Sequence, residues 1–281
     1  MNSRVLDETA QRAFESDAKI GILATVDGEG LPHATLITTL QAKGPTELMF
    51  GQFSEGRSKL NLRRNQRAAF LVMTRDRRLW RGHASWKTET KQGEDYELYN
   101  QKPMFRYNAY FGIHTIHYLD LVDVLPVEGV PVAGMALGAA LTALAASGQR
   151  TDQRDPVLTP WAERHLAKAS TLKFLVHLGD EGYPNIVPLV PCRAEESRRL
   201  LLAPTVHRSE LEALRPDDAV AVFALNLEME SVLLRGRFRG YRRRRGARTG
   251  VIDLDWVYNS MPPKQGVIYP PEPLRSVHQA Q

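Results

Sequence analysis

Cysteine is almost missing from this 281-residue sequence, where Cys192 stands alone. A single thiol excludes an internal disulfide framework and any multi-cysteine metal site. Long apolar runs are missing too. Crossing a bilayer takes about 18 to 20 consecutive apolar residues, and the nearest approach, 130–146, is diluted by several Gly and Ala residues. Residues 1–19 are polar and mixed in charge, without the apolar centre of a secretion signal. A cytoplasmic protein with no membrane partner is the expectation. No Ser-His-Asp order and no paired-carboxylate spacing stands out. His114 and His117 are three apart on an extended segment and so point to opposite faces, and no metal site is expected from them.

Charge of one sign is modest, at +5, but unevenly spread. Eight arginines fall between Arg235 and Arg248, and Arg235, Arg237 and Arg239 alternate with apolar or small residues. That alternation suits a strand with one solvated face, some of its arginines turned toward a phosphate. It ranks above nucleic-acid binding, and no nucleic-acid partner is expected.

The most informative stretch is Ser54 to Met73. It reads as the exit of a strand (Glu47 to Gln52), a short basic helix, and entry into a second apolar strand. Ser54, Arg57, Ser58 and Lys59 gather where the helix should begin. A helix start offers unpaired N–H groups and the positive end of the macrodipole, so hydroxyls and cations there can seat a phosphate. The plainer alternative is a solvated basic turn capped by Ser54 or Ser58. Ahead of this stretch, Ile20 to Val26 and Leu31 to Ile37 flank the turn Asp27-Gly28-Glu29-Gly30 as a strand pair. Beyond it, Ala68 to Met73 and Leu79 to Ala84 flank a polar turn, Thr74 to Arg78.

This order of elements resembles the FMN-binding split-barrel family, that of pyridoxamine 5′-phosphate oxidase, over about residues 15 to 125. The most specific piece is Ser58-Lys59-Leu60-Asn61-Leu62 followed by Asn65-Gln66-Arg67-Ala68-Ala69, close to the family's S-K-x-x-N-L…N-P-R-A-A. The resemblance implies FMN, or a related flavin or deazaflavin, with heme ranked lower. It also departs from the pattern. Thr35 stands where the family has a phosphate-binding arginine, and the vitamin-specific C-terminal signature is not evident around Arg275. The chain is therefore not read as a vitamin B6 enzyme.

The same elements recur about 152 residues later, with Gly30 and Pro32 answered by Gly182 and Pro184. Leu172 to Leu178 and Ile186-Val187 repeat the first hairpin, Leu200 to Ala203 repeats Leu48 to Gly51, and Ser209 to Arg215 repeats Ser58 to Arg64. Ala219 to Ala224 and Leu233 to Phe238 repeat the later strands. The expected fold class is mainly β with α (α+β): tandem FMN-binding split β-barrels forming an intramolecular pseudo-dimer. The first domain is expected over 1–147, a linker over 148–159, and the second domain over 160–281. Glu8 to Ala18 and Pro160 to Ala169 are read as helices leading into the barrels. Glu94 to Phe111 is read as an aromatic helix broken at Pro103, and Val132 to Ser147 as a small-residue helix between lobes. Leu119 to Val127 and Ile252 to Tyr258 are read as closing strands. The Pro-rich segments at 261–263 and 269–271 are read as surface wrapping.

The halves differ at the phosphate seat: His207, Arg208, Ser209 and Glu210 replace Ser54, Arg57, Ser58 and Lys59. A carboxylate beside a phosphate is repulsive, so only the first seat is expected to work. The resemblance implies cofactor-binding positions at Thr35, Leu36, Ile37, Thr38, Gly51, Gln52, Ser54, Arg57, Ser58 and Lys59. The strand residues would supply backbone amides to the isoalloxazine edge. Trp80, Trp86 or Trp256 could cover a ring face, with packing the ordinary alternative. The function implied is an FMN-dependent oxidoreductase acting on a small molecule, with NAD(P)H or oxygen as redox partner, as a monomeric pseudo-dimer or a homodimer. The alternatives are a non-catalytic flavin- or heme-binding module and a cofactor-free interaction protein. No catalytic residue is assigned.

Overall fold

The computed structural model describes residues 3–102, 112–146, 156–259 and 266–271. The chain divides into two compact units, residues 1–130 with 178–186, and residues 131–177 with 187–281.

In the first unit, helix α1 (Glu8–Glu15) precedes strands β1 (Lys19–Val26), β2 (Pro32–Leu36), β3 (Gln41–Ala42) and β4 (Glu47–Gln52). Helix α2 (Arg57–Arg64) leads to β5 (Arg67–Thr74) and the long β6 (Arg78–Thr90), and helix α3 (Glu94–Gln101) to β7 (Thr115–Val124) and β8 (Glu128–Gly129). The second series runs α4 (Val132–Ala146), α5 (Pro160–Ala167), β9 (Leu172–Leu178), β10 (Pro184–Val187), β11 (Cys192–Glu196) and β12 (Arg199–Leu202). It ends with α6 (Arg208–Glu212), β13 (Ala219–Leu225), β14 (Ser231–Arg244), β15 (Ala247–Asn259) and β16 (Gly266–Tyr269).

The two sheets have one topology. The first runs β2-β1-β5-β6-β7-β4-β3 and the second β10-β9-β13-β14-β15-β12-β11, with antiparallel pairing from β2 to β3 in the first and from β9 to β11 in the second. Each order is the other with every strand number raised by eight. The expectation of two colinear copies of a mainly β fold is met. The copies agree down to single glycines. Gly30 and Gly182 both close their hairpins at φ +76°, a left-handed conformation that side chains resist. A Cβ on Gly82 or Gly236 would lie 2.1 or 2.0 Å from the carbonyl oxygen of Asp123 or Asp253, so both central strands need a glycine at the crossing.

Apolar alternation gives each sheet an inner face. In the first unit Leu23, Phe50, Phe70, Trp80 and Leu119 form that core with Phe14 of α1, whose ring meets Phe70 and Trp80 edge-on. In the second, Leu175, Leu202, Val222, Leu234 and Ile252 pack with Leu166 of α5. The lead-in helices are capped alike, Asp7 accepting from the Ala10 amide and Thr159 from that of Ala162.

The outer faces are covered differently. In the first unit Tyr99 of α3 packs with Met49, Ile113, Ile116 and Tyr118. In the second, Ala145 and Leu141 of α4 pack with Leu201, Ala247 and Val251. Helix α4 thus packs on β11, β12 and β15 within the second unit, where sequence reading took it as filler between lobes. Further corrections are local. Strand β7 begins at Thr115 and ends at Val124, and Tyr269 pairs with Val257 in β16 before the prolines take over. The rest of the aromatic helix beyond Lys102, the segment 148–155, the prolines at 262–263 and Arg275 lie outside the described residues. Among the described residues, no helix is long and apolar enough to cross a membrane.

Candidate functional site

Helix α2 opens after Gly56, whose extended backbone (φ −136°, ψ 168°) makes it the N-cap without any side-chain cap bond. The alternative of a serine-capped turn is not what forms: Ser54 is exposed ahead of the helix, and Ser58 sits inside the first turn. Because glycine takes the cap position, the Ser58 hydroxyl is not spent on the helix. It is only 2% exposed, and its Oγ has no hydrogen-bond partner among the described residues. Leaving a buried polar group unpaired costs about 1–3 kcal/mol, so a ligand that pairs with it recovers that cost.

Lys59 follows, half-buried, and its ammonium has no hydrogen bond or ion pair among the described residues. Burial pushes its ammonium down to about 8, against a smaller opposite pull from the Glu55 carboxylate. An unspent hydroxyl and a half-buried cation share the first turn of a helix, where amide N–H groups and the macrodipole also favour negative charge. The donor set suits an anion with several acceptor oxygens, as a phosphate monoester has. Arg57, next to them, is exposed.

The helix is held firmly. Asn61 donates to Thr25 Oγ1 of β1 at 3.1 Å inside the core, and Arg63 binds Glu55 at 2.6 Å and both oxygens of Glu89 at 3.1 Å. Helix α2 packs against β1 and β2. Thr25 pairs with His33, two residues along β2 from Thr35.

A polar cluster lies at the end of β4. Phe50 pairs with His117 of β7 and their rings stack at 4.7 Å. His117 Nε2 is 2.7 Å from Gln52 Oε1, and the Trp86 indole nitrogen is 3.3 Å from His117 Nδ1. The His117 side chain is wholly buried, and that burial pushes its pKa down to about 4. Glu89, Lys59, Arg63 and Glu55 all bear on its charge, which places this cluster beside α2.

The other expected positions fare unevenly. Thr35, Leu36 and Thr38 are half-buried, and β2 is an edge strand. Ile37 lies in the core and its amide already donates to the Gly21 carbonyl at 2.8 Å. Gly51 is covered by Tyr99 and Ile113, and its carbonyl accepts from Thr39 Oγ1 at 2.7 Å. Trp80 is a core residue, and Trp256 stacks on Tyr258 beneath Arg235. Sequence reading missed the parts of Arg63 and Glu89. Asn61 was quoted in the motif without a role, and its anchoring bond supplies one. His114 binds Thr115 Oγ1 at 2.7 Å, and no group of three or more metal-ligating residues occurs among the described residues.

In the second unit, α6 has only five residues and follows His207 in a left-handed conformation. Arg208 is bound to Glu212 at 3.0 Å, and Glu210 lies 3.7 Å from His207. The arginine-rich strand is likewise matched by acids: Arg239 binds Asp217 and Asp253, Arg242 and Arg244 bind buried Glu195, and Arg248 binds Glu212.

No protein-family model matches the chain, and no curated protein matches it. Several solved structures each match it over less than half of its length. An FMN-binding protein from Syntrophomonas wolfei is 17% identical, with a TM-score of 0.38, covering 42% of this chain and 84% of its own. A candidate pyridoxamine 5′-phosphate oxidase from Lactobacillus delbrueckii is 17% identical, with a TM-score of 0.36, covering 45% of this chain and 98% of its own. An F420 reductase is 14% identical, with a TM-score of 0.33, covering 44% of this chain and 98% of its own.

Proposed function

We propose that the first unit binds the phosphate of FMN, or of a related flavin or deazaflavin, and that the chain is a flavin-dependent oxidoreductase acting on a small molecule with NAD(P)H or oxygen. The observation that carries this reading is the buried Ser58 hydroxyl, unpaired among the described residues, next in sequence to the half-buried Lys59. The motif around Ser58, Lys59 and Asn61 adds the flavin to the phosphate. Ser58 and Lys59 would hold the phosphate oxygens, with Ser54 and Arg57 at the solvent side. Asn61 and Arg63 fix the helix that presents them. Gln52 and the Thr35–Thr38 segment would line the ring edge. A flavin bound there supplies hydride acceptance and release, so no protein nucleophile is needed.

Heme is the weaker reading, since the buried His117 has both ring nitrogens engaged and offers none as an axial ligand. The deciding experiment is an absorption spectrum of the purified protein, with mass identification of what denaturation releases. Flavin titration should give one FMN per chain, with an affinity unchanged across a hundredfold protein dilution. A colourless protein that takes up no flavin, or one that loses flavin on dissociating into single chains, refutes the respective part.

A further inference from the structure

The Trp86–His117–Gln52 chain of contacts fixes more than position. An indole N–H can only donate, so His117 Nδ1, 3.3 Å from it, is the accepting nitrogen. In a neutral imidazole the proton then sits on Nε2, which faces Gln52 at 2.7 Å. That N–H needs an acceptor, so Gln52 turns its oxygen inward. The glutamine's amide nitrogen is left over, and it donates to nothing among the described residues.

The opposite arrangement is worse on each count. A proton on Nδ1 would confront the Trp86 N–H and orphan it. Its remaining acceptor would be Glu89 at 3.5 Å, beyond a good hydrogen bond, and Arg63 already holds both Glu89 oxygens. An imidazolium would face Lys59 and Arg63 as well as Glu89 and Glu55, in a site where burial holds the ring neutral.

We propose that Trp86 and His117 set the polarity of Gln52, so that the amide group left for the ligand is an N–H donor, which pairs with a carbonyl oxygen or ring nitrogen acceptor of the flavin's pyrimidine edge rather than with its imide N–H. This rests on the flavin reading for the identity of the ligand. Trp86 and His117 are positioning residues, and Gln52 is the one that touches.

Long-range proton–nitrogen NMR of the imidazole nitrogens reads the tautomer in the ligand-free protein. The wild type should show a proton on Nε2 and a bare Nδ1, and Trp86→Phe should show a mixture. Gln52→Glu keeps an oxygen for His117 and swaps the outward donor for an acceptor. It should keep the His117 tautomer and lose FMN affinity by about tenfold or more, the worth of one reversed hydrogen bond. Gln52→Met, which keeps neither group, should also bind weakly and stands in if the glutamate variant fails to fold. A wild-type proton on Nδ1 overturns the proposal, and so does FMN affinity unchanged in folded Gln52→Glu or Gln52→Met. A wild type that takes up no FMN overturns the flavin reading and the ligand half of this one, and the tautomer then decides the polarity half alone.

Discussion

The helix after the fourth strand of each unit opens with Arg-Ser and has Leu in fourth place, yet Lys59 stands in one where Glu210 stands in the other, and the two do opposite things with their charge. In the second unit Arg208 is bound to Glu212, and Arg248 binds that carboxylate too. Ser209 is exposed, and the helix lasts five residues. In the first unit the helix lasts eight, and among the described residues Ser58 is buried without a partner and the Lys59 ammonium is left unmatched. The contrast continues in the strands behind. Leu202, the counterpart of Phe50, pairs with Gly250 where Phe50 pairs with His117, and Pro204 follows where Gln52 stands. At the helix start one copy matches its arginine with an acid, while the other holds a buried serine hydroxyl unsatisfied, at a cost in stability. The proposed phosphate seat would account for such a difference between two copies of one fold.

The largest effect should come from reversing charge in the first copy alone. Lys59→Glu should cost a charge-assisted bond of about 1.5–3 kcal/mol, a loss of about tenfold to a hundredfold or more in FMN affinity. Glu210→Ala should leave affinity unchanged. Equal losses in a fluorescence titration would mean that both copies bind.

Acid separates the copies next. His117 has a folded pKa of about 4, below its unfolded value near 6.5. Between those values the unfolded chain binds more protons, so stability should fall as pH drops from about 6.5 to about 4 and then level. His117→Phe should flatten that slope in denaturant unfolding followed at Trp86. Unaltered acid dependence in the variant would remove His117 as its source.

At the alkaline side the effect is smaller and falls on binding. Lys59 carries its charge up to about 8 in the folded protein. FMN affinity should therefore decline as pH rises past that value, and Lys59→Arg, whose guanidinium does not titrate there, should flatten the decline. The unfolded chain holds more protons between about 8 and 10.5, so the stability of the ligand-free protein should rise over the same window. The smallest effect tests the hydroxyls. Ser58→Ala should stabilise the ligand-free protein by about 1 kcal/mol by deleting an unpaired buried group, while weakening FMN binding by about threefold to tenfold. Exposed Ser209→Ala should change stability by no more than about 0.5 kcal/mol. Thermal unfolding with and without FMN reads all four combinations.

The fold was legible because its signals are local and repeated. The hairpin turns carry Asp27 or glycines at positions that need them, and β4 and β9 were bounded to the residue by their apolar runs. The seat helix was placed but miscapped, because a glycine cap leaves no side-chain signature and two serines nearby do. The unsatisfied state of Ser58 could not be read at all, since it depends on what the fold fails to bring within reach. The Gln52–His117–Trp86 contacts join three strands across 65 residues of sequence, a separation at which spacing carries no signal. For the arginine strand the composition was visible, but not Glu195, Glu212, Asp217 and Asp253, the acids that meet it.

The helices that cover the outer faces bear on where this chain can be cut. Helix α3 lies within the first series of strands, between β6 and β7, whereas α4 stands ahead of the second series and β14 runs into β15 through a tight turn at Gly246. A fragment starting at residue 131 carries its own cover for Leu201, Ala247 and Val251. One starting at residue 156 has every strand of the second series but leaves that apolar strip bare, and should aggregate where the longer fragment stays dispersed.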